Sequence, residues 1–243
     1  MLSKSDEKLT SVKKADPNAG RFVVRLKFRK VGNLQYISHL DLQRTFNRVI
    51  KRSGIPVWYT QGFNPHMKLV FSSPLSIGTE SVCEYLDLSM QGDITCAEIM
   101  ERLNKELTDE LSIVDAYIAK RNFSEIAWAD YSCEIFTEGG SADIAERAEE
   151  MFKTSPYYMV KSTKSGDKEI DIVPLIKNIK VGYDEGFIKI KARLSATSTN
   201  FLNPQMLITA MKDRFDILSK NPAVEWYTVM REDLLDQEEK SFG

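Results

Sequence analysis

Histidine and cysteine are scarce in this chain: His39 and His66, and Cys83, Cys96 and Cys133, in 243 residues. The cysteines are odd in number, widely spaced and without a C-x-x-C pair. That speaks against a disulfide framework and a zinc site and fits a reducing cytosol. Two histidines and scattered thiols point to no metal and no resident cofactor. No stretch approaches the ~20 continuous apolar residues that a membrane span requires. The opening MLSKSDEKLTSVKKADPNAG is polar and lacks the apolar segment of a signal peptide. Residues 1–19 are expected to be a disordered leader, and the protein to be cytoplasmic.

Acid is also scarce, but only locally. Over residues 20–72, ten bases (Arg21, Arg25, Lys27, Arg29, Lys30, Arg44, Arg48, Lys51, Arg52 and Lys68) stand against Asp41 alone, a net +9. Residues 73–119 reverse the sign, with ten acids against Arg102 and Lys105, a net −8. The whole chain totals −2, so its charge is separated along the sequence rather than absent. A single-sign field of this kind attracts a polyanion or an acidic partner surface.

The length suits two domains of about 100 residues each. Phe22, Val24, Leu26 and Phe28 alternate with Arg21, Val23, Arg25, Lys27 and Arg29, which predicts a strand with one basic face. Gly32-Asn33 predicts a turn and Leu34–Ile37 a short extension of the hairpin. Residues 40–53 predict a helix whose buried stripe is Leu42, Phe46, Val49 and Ile50. Ser38 is its N-cap, with Asp41 three residues on, and Gly54 ends it. Arg44, Arg48, Lys51 and Arg52 then share its exposed face. Strands are expected at Pro56–Tyr59, Lys68–Phe71, Glu84–Ser89 and Leu111–Ala119, with a helix over 94–107.

The second half shows the same order. Ala127–Phe136 reads as a strand and Ser141–Thr154 as a helix. Tyr157–Ser162 and Lys168–Ile172 read as a hairpin around Ser165-Gly166. Strands at Val173–Val181 and Phe187–Leu194 precede a helix that Asn203 caps, with Pro204 at its first turn. Glu225–Arg231 closes the sheet. The expectation is an α+β protein of two tandem ferredoxin-like α/β sandwich domains with antiparallel sheets. They would span 20–121 and 122–235, followed by a frayed acidic tail at 236–243.

Two polar motifs lie in the basic half. In Ser38-His39-Leu40-Asp41, the serine and aspartate suit a helix cap, and His39 adds a donor beside an N-terminus that favours anions. In Gln61-Gly62-Phe63-Asn64-Pro65-His66, an aromatic sits beside amides and a histidine, as in loops that stack and read single-stranded RNA. The bland alternative makes Gly62 a turn residue, Asn64-Pro65 a turn initiator and Phe63 a core plug. The candidate binding residues are His39, Arg44, Arg48, Lys51, Arg52, Gln61, Gly62, Phe63, Asn64 and His66.

Tyr36-Ile37-Ser38-His39-Leu40-Asp41, with Arg52, Ile55-Pro56, Gly62 to His66, Pro74-Leu75, Gly78, Ser81 and Glu84, resembles the radical-SAM-linked protein family. This is a bacterial domain of unknown function found beside radical SAM genes or fused to a radical SAM enzyme. Asp171-Ile172-Val173-Pro174 also matches, whereas Asn203-Pro204 departs from the family's arginine. The resemblance implies a radical SAM partner, and neighbouring ribonuclease and ribosomal genes point toward RNA. The C-x-x-x-C-x-x-C motif that ligates a [4Fe–4S] centre is not in this chain. The expected function is an accessory protein that binds tRNA or rRNA, or presents substrate to that enzyme. The alternatives are a metal-independent RNA-processing or RNA-modifying enzyme with His39 and His66 as acid and base, and a protein–protein adaptor.

Overall fold

Burial of Val24, Leu26 and Phe28 on one side makes Phe22–Lys30 the first strand, β1. The structure, a computed structural model, describes residues 20–243 apart from Pro74, Ser155, Lys164, Ser165 and Pro222. The expected leader and the Ser165 corner of the expected hairpin lie outside the described residues. After β1 the chain makes a 3-10 turn, Gly32–Tyr36, in place of the expected strand extension. Gly32 takes φ +61° and its N–H donates to Glu80 Oε1, which turns the backbone out of the sheet.

Helix α1 (His39–Ser53) buries Leu42, Phe46, Val49 and Ile50, the expected stripe. Ser38 Oγ accepts the Asp41 N–H at 3.1 Å and donates to Asp41 Oδ2 at 2.7 Å. Gly54 closes the helix at φ +66°, where a side chain would be strained. Two isolated bridges, Val57 with Met90 and Tyr59 with Met67, stand where a strand was expected over Pro56–Tyr59. Strands β2 (Leu69–Phe71) and β3 (Glu80–Met90), helix α2 (Cys96–Asn104) and strand β4 (Leu111–Ile118) complete this half.

The second half runs β5 (Trp128–Phe136), α3 (Ala142–Lys153), the hairpin β6 (Tyr158–Thr163) and β7 (Gly166–Asp171), β8 (Ile176–Asp184), β9 (Phe187–Ser195), α4 (Gln205–Phe215) and β10 (Trp226–Leu235). Helix α4 starts one residue later than expected. Pro204 is its cap, and Asn203 Oδ1 accepts the Gln205 N–H at 3.1 Å.

Among the described residues, eight strands form one mixed, mostly antiparallel sheet in the order β4-β1-β3-β10-β5-β9-β8, with β2 also on β3. The exception is the β3–β10 seam, where Met230 and Arg231 pair in parallel with Glu80 and Ser81. With the β6–β7 hairpin set apart as a sheet of its own, each half contributes four strands to the main sheet in one order: fourth, first, third and second. Helices α1 and α2 cover an apolar core with β1 and β3, and α3 and α4 cover a second with β5 and β9. The tail expected to fray is tied down. Strand β10 runs to Leu235, Phe242 N–H donates to Leu234 O at 2.8 Å, and the Phe242 ring is buried. The Phe242 ring packs on Tyr85 and Phe123, and Arg121 pairs with Asp236, so an acidic segment is anchored by both apolar and ionic contacts.

Candidate nucleic-acid interface

Helix α1 carries the expected cationic face. Arg44 Nη1 pairs with Asp41 Oδ1 at 3.0 Å and Arg52 Nε with Glu106 Oε2 at 2.7 Å, both on the surface. Exposed pairs of this kind are worth little and exchange readily. Arg48 and Lys51 are exposed and, among the described residues, have no carboxylate at ion-pair distance. The Asp41 carboxyl is held below its usual range by the Ser38 hydrogen bond first and Arg44 second.

The basic strand does not add to this face. Successive side chains of β1 alternate sides, so Arg25, Lys27 and Arg29 lie opposite the helices. Arg25 is fully buried and doubly bonded to Asp87, at 2.7 and 2.8 Å. Its guanidinium also donates to Arg121 O and lies 4.1 Å from the Phe123 ring centre and 4.9 Å from that of Phe242. Arg29 donates to Ser112 Oγ and to Asp109 O. The summed basic field expected from strand and helix is therefore split between two faces, and partly neutralised on the strand side.

The 60–66 loop is closed on itself. Thr60 N–H donates to His66 O at 2.9 Å, and His66 N–H returns a bond to Thr60 Oγ1 at 3.1 Å. His66 Nδ1 lies 3.0 Å from the same hydroxyl and 3.2 Å from Asn64 O. Gly62 takes φ +141°, and Gln61 Nε2 reaches Tyr59 O at 3.4 Å. Phe63, far from plugging the core, is wholly exposed at the tip. The loop spends its polar groups on its own closure and presents an aromatic ring to solvent.

His39, the first residue of α1, stands elsewhere. Its ring meets Phe71 edge to face with centroids 5.2 Å apart, and its Nε2 lies 3.3 Å from Gln43 Nε2. It lines a small niche with Lys30, Ser73 and Glu84. Beneath lies a buried charge cluster. Arg231 Nε donates to Glu84 Oε1 at 3.0 Å, its Nη2 to Ser73 O at 2.9 Å and also to Glu84, while Nη1 has no hydrogen-bond partner among the described residues. Lys30 Nζ reaches only Gln35 O, at 3.3 Å. Burial lowers the Lys30 pKa and nearby Arg231 adds to this, against the opposing pull of Glu84. Sequence reading missed this cluster: Lys30 counts there as one more surface base, and Arg231 is 147 residues from Glu84.

The candidate residues thus fall into two groups. Phe71, which His39 touches, is four residues from Met67 at the base of the loop, roughly 13 Å along extended chain. Helix α1, at 15 residues, is about 22 Å long. Its C-terminal end, with Lys51 and Arg52, leads into the segment that bridges to Met90, near the loop. His39 opens the helix, and His66 lies in the loop that follows its cationic end along the chain.

A family model described as "Uncharacterized protein conserved in bacteria (DUF2344)" matches residues 23–204, from β1 to the cap of α4. The chain belongs to this family. The match takes in every candidate residue of the DUF2344 chain but stops short of β10 and Arg231. No curated protein matches it. Among solved structures, an unknown protein from Galdieria sulphuraria is 10% identical, covers 87% of this chain and 98% of its own, and has a TM-score of 0.25. DyPB from Rhodococcus jostii RHA1 is 9% identical, covers 88% and 93%, and has a TM-score of 0.22. Likenesses at that level carry no structural argument. No helix among the described residues of the DUF2344 chain is long and apolar enough to cross a membrane. None of their His, Cys, Asp and Glu side chains group in threes that would hold a metal ion.

Proposed function

We propose that this DUF2344 protein is an accessory module that binds single-stranded RNA and works beside a radical SAM enzyme. The observation that carries the RNA reading is the wholly exposed Phe63 on a self-closed loop, in a half whose helix α1 also exposes Arg48 and Lys51. A solvent-facing ring stacks on any base, and Arg48, Lys51 and Arg52 supply phosphate contacts. We read the two halves, 20–121 and 122–235, as tandem ferredoxin-like domains, a reading supported by the strand order they share. The separation of His39 from His66 favours a module over an enzyme in which these two act as acid and base, since proton transfer needs both within hydrogen-bond reach of one substrate.

The adaptor reading has its own support. Gly78 N–H donates to Gln35 O at 3.0 Å, which brings the segment of exposed Ile77 to that of exposed Tyr36, with exposed Leu40 in the first turn of α1. That apolar patch is at the His39 end of α1 and suits a protein partner such as the radical SAM enzyme.

Fluorescence anisotropy with a labelled single-stranded RNA tests the module. We expect Phe63→Ala to cost about 1–3 kcal/mol of binding while leaving the melting temperature unchanged. The pair Arg48→Glu and Lys51→Glu should lower affinity and flatten the salt dependence, which runs at roughly −0.7 in log–log slope per phosphate contact. Binding that ignores both changes, or no RNA binding at all, refutes the reading.

A further inference from the structure

The open face of the first half and the gap beside β2 carry two adjoining depressions with different chemistry. The larger is a cleft of about 710 Å³ between the loop after β2 and residues 196–201 of the second half. Leu75, Phe123 and Phe201 give it apolar walls, and Ser76, Ser124, Thr197 and Ser198 give it hydroxyls. Among the described residues none that lines it is charged. Ser72, also in its wall, has a buried hydroxyl with no hydrogen-bond partner among the described residues. The volume is that of a small-molecule site, and the lining suits a flat, neutral, polyhydroxyl ligand.

The smaller depression, about 210 Å³, is cationic and shares Phe123 with the cleft. Arg21, Lys68 and Arg121 line it. The one carboxylate among its described lining residues, Asp87, is already taken by Nε and Nη2 of Arg25. Arg121 is likewise held, by Glu125 and Asp236, and acts as a wall. Arg21 and Lys68 are different. Arg21 Cζ lies over the Trp58 ring, 4.1 Å from its centre, and Nη2 donates to Ser89 Oγ at 3.1 Å, with no carboxylate at ion-pair distance among the described residues. Lys68 is exposed and, among the described residues, has no acidic partner. A stacked guanidinium is pre-set for two-pronged contact with a phosphate, and the lysine adds a mobile second charge.

We propose that the two depressions together hold one nucleotide, with base and ribose in the neutral cleft and the phosphate between Arg21 and Lys68. This names a site whose phosphate end lies on the face opposite α1, lined by residues other than Phe63. It deepens the RNA reading without depending on the loop. The same chemistry serves a free nucleoside monophosphate or the terminal unit of an RNA, and both sources are measured.

Isothermal titration of the full chain with adenosine and uridine 5′-monophosphates, the matching nucleosides and inorganic phosphate tests it. We expect a monophosphate to bind more tightly than its nucleoside or phosphate alone. Lys68→Glu, at an exposed side chain, should weaken the monophosphate about tenfold or more and leave the nucleoside unchanged, and Arg21→Gln should act in the same direction. Ser198→Trp, filling the cleft, should weaken both. A short oligoribonucleotide bound better with a 5′-phosphate than without assigns the site to RNA ends, and preference for the mononucleotide assigns it to free nucleotide. Monophosphate binding that is absent, or equal in wild type and Lys68→Glu, overturns the proposal. Phe63→Ala should leave mononucleotide binding intact, so the loop and this site fail separately.

Discussion

Glu84 is one carboxylate beside two buried cations. Arg231 is fully buried and Lys30 nearly so, and the ion pair joins strands from opposite halves. Removing one member of such a pair leaves uncompensated buried charge, which is costlier than never having built it. We expect Glu84→Ala to lose about 3–5 kcal/mol in urea unfolding, and Lys30→Met to be near neutral. The sign of the lysine's pH effect follows from its lowered pKa. Between that value and the ordinary 10.5 the unfolded chain binds the extra proton, so stability rises with pH across the window. Lys30→Met should remove that rise. A Glu84→Ala protein as stable as wild type would show that the cluster is hydrated and not a structural lock.

At the scale of elements, the segment between α4 and β10 is held by one side chain. Glu225 Oε1 accepts from Thr137 Oγ1 at 2.6 Å and Glu138 N–H at 3.0 Å, and Oε2 accepts from the N–H groups of Lys220 and Asn221, each at 2.9 Å. The Thr137 hydroxyl foremost, then the Asn221, Glu138 and Lys220 amides, hold its carboxyl down to about 2. The depressed value means its contribution is present above the ordinary 4.5 and is lost as pH falls from there toward 2. Glu225→Gln faces two amide donors with a third, and we expect a melting temperature lower by roughly 5–10 °C at pH 7, with the gap to wild type closing near pH 2–3. Thermal scans across pH check this. Nothing local marks Glu225 for that role, whereas α1 was legible because stripe, Ser38 cap and Gly54 stop all agree within 17 residues. The alternation of β1 was equally legible. What covers its basic side was not, since Asp87 lies 62 residues away and Arg121 96. Of the candidate site, exposure of the α1 cations was readable from period alone. That Phe63 points outward was not, because a loop ring fills a core or leaves it with the same sequence around it.

At the scale of the molecule, two halves share one sheet through a short parallel seam, Met230 and Arg231 against Glu80 and Ser81, and the second of the two cores takes in Cys83 and Tyr85 from β3. Two rungs of backbone pairing are a thin joint, so side chains must strengthen it. On the helix side this is Arg231 with Glu84. On the open side it is Phe242, whose ring meets Tyr85 at 5.6 Å and Phe123 at 5.9 Å and covers Arg25 and Arg121. Arg121 answers from the linker, bonding Asp236 at 2.7 Å and reaching the carbonyls of Ser241 and Phe242. The tail is therefore a clasp across the halves. Phe242→Ala should cost about 3–5 kcal/mol, as for a buried aromatic elsewhere. The further expectation is a change in cooperativity. Wild type should melt in one calorimetric transition, and Phe242→Ala combined with Glu84→Ala should melt in two, because both locks on the seam are gone while each core keeps its own helices. Hydrogen exchange should then rise first over residues 121–126 and the tail and leave β1 and β9 protected. A double variant that still unfolds in one step would mean that the continuous sheet alone couples the halves.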